Sequence, residues 1–202
     1  MKIKFQTRGD VSKFISRNQY KRSRRTPPGI KMEVKLYFYS MHPEYNENAG
    51  GFPNDIAILQ LSSAAELSEQ VQSANLPSST STSFYNGRTC YITGWGRLSG
   101  GGSLPNILQE AKTTVVSHSN CRNMLGYTGL LYLQQGPHIC VHTGENGACN
   151  GDSGGPLVCD VNGKWELAGA TSWGLQNCPT SSPSVYARVS NYLSWIRQNT
   201  DL

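Results

Sequence analysis

Gly151-Asp152-Ser153-Gly154-Gly155-Pro156 sets a serine between glycines, directly after an acid. A serine hydroxyl attacks poorly until a base takes its proton and donors meet the oxyanion that forms. Glycine at 151 opens backbone conformations closed to other residues, so its N–H and that of Ser153 are able to converge on one point. The string carries a nucleophile and the start of an oxyanion hole. It requires a base elsewhere in the chain, and a group to orient that base.

Short strands are predicted around it at regular spacing, over 89–93, 107–116, 137–142, 155–160, 165–173 and 184–189, the pattern of a six-strand barrel. Val189, Leu193 and Ile196 share one face at i, i+4, i+7, so the chain is expected to end in an amphipathic helix. Upstream, residues 77–88 are rich in Pro, Ser, Thr, Asn and Gly and read as an interdomain linker. Ile56, Ile58, Leu59 and Leu61 predict a buried strand beginning just after Asp55, preceded by a loop over 42–53. Val34, Leu36 and Phe38 alternate with Lys35, Tyr37 and Tyr39, the pattern of a half-buried strand. Residues 1–33 show no period, and Lys21-Arg22-Ser23-Arg24-Arg25 before Pro27-Pro28-Gly29 predicts a basic, disordered arm.

The 202 residues suffice for one barrel-type domain or two small ones. The net charge of +5 is unevenly spread: residues 1–35 hold 11 Lys+Arg against 2 acids, the remainder 7 against 11. This is a basic arm on a mildly acidic body. The arm reads as a solvated tail, an anionic-surface binder or sequence from a mis-joined exon. Without aromatic interleaving or a nucleic-acid fold, specific nucleic-acid binding is not expected. Six cysteines form no Cys-x-x-Cys, and four histidines complete no zinc spacing, so disulfides are expected rather than a metal. Disulfides imply an oxidising compartment. The opening Met1-Lys2-Ile3-Lys4 has no apolar h-region and reads as no signal peptide, which suggests that the true N-terminus lies outside this sequence. No apolar run approaches membrane-spanning length.

Five strings resemble, in order, the chymotrypsin-like (trypsin-fold) serine proteases: Asn54-Asp55-Ile56-Ala57-Ile58-Leu59, Cys90-Tyr91-Ile92-Thr93-Gly94-Trp95-Gly96, Cys149-Asn150-Gly151-Asp152-Ser153, Thr171-Ser172-Trp173-Gly174 and Pro183-Ser184-Val185-Tyr186-Ala187-Arg188-Val189. The resemblance covers about residues 34–202. It implies an all-β double barrel. A truncated first barrel over 34–77 would carry the acid. Residues 78–202 would hold the linker, a complete second barrel and a C-terminal α-helix. It also selects one of the 15 possible cysteine pairings: Cys90–Cys159, Cys121–Cys140 and Cys149–Cys178.

In the family's chemistry Ser153 is the nucleophile, Asp55 supports an imidazolium, and the Gly151 and Ser153 N–H groups form the oxyanion hole. Ser172 hydrogen-bonds the aspartate. Asp152 pairs with an amino terminus freed by zymogen cleavage, and no Ile-Val-Gly-Gly-type start supplies that partner here. Gly147 stands where trypsins carry an acid, and Ala148 follows. Together with Asn150, Ser172, Trp173, Gly174 and a narrowing Ser184 it implies an elastase- or chymotrypsin-like pocket for an apolar P1 residue. The departure lies in the base. The family's histidine precedes the aspartate in a small-residue-His-Cys string, and residues 1–41 contain no histidine. His42, His118, His138 and His142 are expected in surface or structural roles. The resemblance thus implies a secreted, extracellular serine endopeptidase, monomeric and without cofactor, acting on protein or peptide substrates and met by protease inhibitors. This chain, lacking the histidine, is expected to be inactive; the alternative is a non-catalytic homologue that acts as a binding protein.

Overall fold

The computed structural model describes residues 3–6, 14–16, 36–65, 67–68 and 71–200. The first half of the chain forms five short strands: β1 (Ile3–Gln6), β2 (Phe14–Ser16), β3 (Leu36–Met41), β4 (Ala57–Leu61) and β5 (Gln72–Ala74). As expected, β4 follows Asp55 directly and is buried through Ile58, Leu59 and Leu61. It pairs antiparallel with β3 and parallel with β1, in the order β1-β4-β3, while β2 pairs with β5.

Two readings change here. β3 was expected to be half-buried, yet Tyr37, Phe38 and Tyr39 are 66%, 58% and 53% exposed. β3 is the edge of a three-stranded sheet, and among the described residues no layer covers either of its faces. Within residues 1–33, read as an arm without regular structure, residues 3–6 and 14–16 form β1 and β2, while the basic stretch at 21–25 lies outside the described residues. The unpaired edge groups of β4 and β5 give such short segments a template to pair on.

The second half holds β6 (Thr89–Gly94), β7 (Gln109–Val116), β8 (His138–His142), β9 (Pro156–Val161), β10 (Lys164–Trp173) and β11 (Ser184–Arg188). They close into a barrel in the order β10-β11-β8-β7-β6-β9, one strand for each segment read from the sequence. Asn162 and Gly163, both at positive φ (54° and 78°), make the two-residue turn that sets β9 against β10. Inside, Ile92, Val115, Ile139, Leu157 and Tyr186 form a continuous core. Gly169 is required within it: a Cβ there would stand 2.9 Å from Tyr186 Cβ. Two of the expected disulfides tie the barrel, Cys90–Cys159 between facing residues of β6 and β9, and Cys121–Cys140 from outside onto β8. The third, Cys149–Cys178, joins two loops at one end.

Residues 77–88 are pinned rather than loose. Tyr85 is fully buried in the barrel core and its hydroxyl donates to Glu166 Oε2 at 2.5 Å, an oxygen that also accepts from Ser78 N–H at 3.2 Å. Arg188 donates to the Thr82 carbonyl at 3.0 Å. A buried carboxylate and a buried guanidinium need such partners, and the segment supplies them.

Two short helices not anticipated from the hydrophobic pattern, α1 (His118–Met124) and α2 (Gly126–Tyr132), lie between β7 and β8. Ser117 caps α1 by accepting from Asn120 N–H at 3.3 Å. The chain ends in a 3₁₀ turn, Val189–Tyr192, followed by α3 (Leu193–Gln198), with Val189, Leu193 and Ile196 buried on the expected face. That face joins the halves: Ile56, Ile58 and Ala74 pack with Val158, Leu167, Val189 and Ile196 in one cluster. Among the described residues no helix is long and apolar enough to cross a membrane.

Candidate active site

β10 outruns its neighbour. β9 pairs with it as far as Ala170, and the next two residues hold the two parts of the site. Thr171 takes the serine turn: its N–H and hydroxyl donate to the Gly155 carbonyl at 2.9 and 3.1 Å, and its carbonyl accepts from Gly154 N–H at 3.0 Å. Ser172 takes the acid, donating from Oγ to Asp55 Oδ2 at 2.8 Å. One strand end therefore holds both Asp55 and the turn that carries Ser153, 98 residues apart in sequence. Asp55 is 3% exposed, at the junction of the two halves. The Asn54 backbone at φ 60° turns the loop into this position, a conformation that asparagine tolerates better than most residues.

Ser153 is exposed on a tight turn between Gly151 at φ 102° and Gly154 at φ 79°. Asp152 N–H donates to the Cys149 carbonyl at 3.0 Å and Gly155 N–H to the Asp152 carbonyl at 2.8 Å. The N–H groups of Gly151 and Ser153 donate to no acceptor among the described residues. The Asp152 carboxylate, for which the sequence offered no partner, accepts from Gly96 N–H at 2.8 Å and Cys149 N–H at 2.9 Å. It fits so closely that a Cβ on Gly94 or Gly96 would collide with it. A cavity of about 140 Å³ adjoins it, lined among others by Gly94, Gly96, Glu145 and Thr171.

The expected pocket residues come together in part. Ala148 N–H donates to Ser184 Oγ at 2.9 Å, and a Cβ on Gly147 would stand 3.0 Å from the same oxygen. Ser184 is buried, Trp173 half-buried and Gly174 exposed at the end of β10. Asn150 is exposed, and its carbonyl accepts from Arg97 N–H at 2.9 Å. Leu104, which carries no reading from the sequence, comes within 3.3 Å of where a Gly151 Cβ would stand.

Among the described residues, none of the four histidines hydrogen-bonds Ser153. His42 packs against Tyr192 and Trp195, with ring centroids at 5.4 and 5.0 Å, and burial lowers its pKa. His118 opens α1, its pKa likewise lowered by burial, and His142 ends β8. His138 is the surprise. It lies fully buried behind Trp173, its ring edge-on to the indole at 5.8 Å. Its Nδ1 accepts from Gln134 N–H at 3.0 Å, so the neutral ring carries its proton on Nε2. The Gly51 and Phe52 carbonyls favour the imidazolium without completing a hydrogen bond to Nε2. Burial outweighs them and the Asp55 charge, and pushes the ring down to about 4. A polar residue in the strand His138-Ile139-Cys140-Val141, covered on both faces, has no pattern that signals its burial.

The family model described as Trypsin matches residues 7–196. The chain belongs to the trypsin family of serine proteases. The match begins ahead of residue 34, where the resemblance read from the sequence begins, and so takes in β2. The chain is 43% identical to the fibrinolytic enzyme, isozyme C, of Lumbricus rubellus over 80% of its own length and 68% of that protein's. It is 40% identical to proproteinase E of Bos taurus (77% and 61%) and 37% identical to a chymotrypsin-like serine proteinase of Haliotis rufescens (84% and 64%). The solved structure of neuropsin, a serine protease expressed in the limbic system of mouse brain, superposes with a TM-score of 0.72 at 30% identity, over 83% of this chain and 72% of that one. The chain thus spans between 61% and 68% of the length of these curated relatives.

Proposed function

We propose that this chain carries the substrate-binding half and two of the three triad positions of a chymotrypsin-like serine endopeptidase. Ser153 is the nucleophile, Asp55 the acid that would orient and support an imidazolium, and the Gly151 and Ser153 N–H groups the oxyanion hole. The observation that carries this reading is the fastening of the serine turn's backbone and of the Asp55 carboxylate to neighbouring residues of β10: Thr171 holds the turn at Gly154 and Gly155, and Ser172 holds Asp55. The two free N–H groups flanking Asp152 fit the oxyanion role. Asp152 would exchange a backbone partner for an ammonium group entering the adjoining cavity, as the family resemblance implies. The three disulfides suit a secreted protein.

P1 preference is for apolar residues. Gly147, Ala148 and Ser184 offer no charge to a buried ammonium, whose unpaired burial costs several kcal/mol. A peptide acid ending in Leu is therefore expected to bind roughly a hundredfold more tightly than its Arg counterpart, read by fluorescence anisotropy. A preference for Arg would overturn the pocket assignment.

The four histidines are read as structural or surface residues, which leaves Ser153 without a general base. The refolded protein treated with a fluorophosphonate probe is expected to label far more slowly than a full triad, where losing the histidine costs on the order of 10⁶ in kcat. Rapid stoichiometric labelling that Ser153→Ala abolishes would reveal a working base and a working enzyme. The second reading, a non-catalytic homologue that binds peptides or inhibitors through the same cleft, is favoured by the lack of a hydrogen bond from Ser153 to any histidine among the described residues.

A further inference from the structure

Asn-Gly occurs four times in the chain, at 86–87, 146–147, 150–151 and 162–163. Asparagine is a thermolabile residue, and a following glycine, with no Cβ to shield its nitrogen, exposes it most. The glycine N–H gives its proton to water, the nitrogen bonds to the asparagine Cγ, and the side-chain nitrogen takes up a proton and leaves as ammonia. Water then opens the five-membered imide at one of its two carbonyls. One opening gives aspartate. The other gives isoaspartate, whose main chain runs through Cβ and Cγ and is one carbon longer.

Both residues of every pair are exposed, so access to water does not separate the four. Their hydrogen bonds do. Gly87 N–H donates to the Val115 carbonyl at 2.9 Å. Gly163 N–H donates to Asp160 Oδ1 at 2.8 Å, in the turn between β9 and β10. A nitrogen that holds its proton against an acceptor, above all a carboxylate, resists losing it and must break that bond before it reaches its neighbour. The N–H groups of Gly147 and Gly151 have no such acceptor among the described residues. The bonds of these two pairs lie ahead of the glycine nitrogen: Asn146 N–H donates to Thr143 Oγ1 at 3.3 Å, and the Asn150 carbonyl accepts from Arg97 N–H at 2.9 Å. Asn150 Oδ1 rests 3.8 and 3.7 Å from the sulfurs of Cys149 and Cys178, which are bonded to each other and carry no proton to donate.

We infer that Asn146 and Asn150 are sites of spontaneous deamidation in the folded protein, and that hydrogen bonding protects Asn86 and Asn162. The reactant is water, and each product is an aspartyl or isoaspartyl residue with one added negative charge. The consequence rests on the cleft reading above. There the new charges fall beside Gly147 of the P1 pocket and beside the Gly151 N–H of the oxyanion hole, and an isoaspartyl link at 150 displaces that N–H by one carbon. The loop that faces substrate is thus the loop that ages first. The modification itself does not depend on that reading.

The test follows all four sites in the oxidised, folded full chain at mildly alkaline pH, by peptide mass mapping and isoaspartyl methylation. The same chain, reduced, alkylated and held in guanidinium chloride, gives the rate of each pair without structure. Asn146 and Asn150 are expected to react close to those reference rates. Asn86 and Asn162 should react roughly tenfold more slowly than theirs, the order of factor that one net hydrogen bond supplies. Asp160→Ala removes the acceptor of Gly163 and should bring Asn162 towards its reference rate, in a chain whose fold is checked by circular dichroism. Slowing of Asn146 or Asn150 to the level of the other pair overturns the inference, as does an unchanged Asn162 in the folded Asp160→Ala chain. Should that variant unfold, the four rates in the parent chain decide alone. No ligand enters these measurements, so failure of peptide acids to bind would sink the cleft reading and leave the deamidation result standing.

Discussion

β8 and β3 are both short apolar strands, and they meet opposite fates. His138–His142 lies in a closed barrel, where Ile139 and Val141 fill the interior and His138, on the outer side, is covered by Trp173. Leu36–Met41 is at least as rich in large apolar side chains, yet Tyr37, Phe38 and Tyr39 stand in solvent. The difference lies in neighbours, not in composition. Closure gives every barrel strand two partners and a filled interior, whereas in the open sheet of three strands the edge strand has, among the described residues, one partner and exposed side chains on both faces. A hydrophobic pattern states which residues favour burial; topology decides whether anything is there to bury them.

The sharpest way to break this contrast is to cut the barrel's tie. Cys90 and Cys159 face each other on β6 and β9, 69 residues apart in sequence. Loop-closure entropy assigns such a crosslink about 4 kcal/mol. Cys90→Ala/Cys159→Ala should lower stability by an amount of that order in urea titration, and a loss below about 1 kcal/mol would mean that barrel closure holds without it. Next comes the interior. Ile139 is fully buried between β7 and β11, and Ile139→Ala should cost about 3 kcal/mol through lost transfer energy and the cavity left behind.

The layer that covers β8 from outside makes the protein sensitive to acid. His138 titrates near 4 when folded, against 6.5 for an ordinary histidine, because burial penalises its charge. Its depressed value means that the unfolded chain binds more protons between those limits. Its contribution is complete above pH 6.5 and is withdrawn as pH falls towards 4, by up to about 3 kcal/mol. His42 and His118, lowered by partial burial, act with the same sign and less force. His138→Gln should flatten the slope of stability between pH 7 and 4.5. An unchanged slope would show that the ring does not stay neutral in the folded state.

Much of the barrel was legible because its strands are short, β-branched and separated by turn residues; Ser184–Arg188 and Lys164–Trp173 fall within a residue of their expected bounds. The disulfide pairing and the Ser172–Asp55 bond followed from resemblance, not from spacing. What stayed hidden depends on contacts distant in sequence. Asp152 finds one of its two donors 56 residues upstream at Gly96, and Tyr85 finds Glu166 across 81 residues. α2 misleads any reading by hydrophobicity, since its apolar residues face out and a glycine faces in. His138 looks like a surface residue until the layer of Trp173 is placed over it.

The smallest expected effect is the most telling for the open half. Phe38 sits on β3 opposite Gln60 of β4, with more than half of its surface in water. Phe38→Ser removes little packing, and β-propensity differences span only about 1 kcal/mol even in favourable hosts. Stability should therefore change by no more than about 0.5 kcal/mol, in the range of ordinary surface substitutions. The sign could be reversed in practice through solubility, because the variant also breaks an exposed run of aromatic residues on an unprotected sheet edge. Urea titration at two protein concentrations separates these effects: a surface residue gives a concentration-independent change near zero. A loss above about 2 kcal/mol that is independent of concentration would mean that other residues of this chain cover Phe38. A loss that grows with concentration would mean that a second molecule does. Either result would erase the contrast between an open first half and a closed second one.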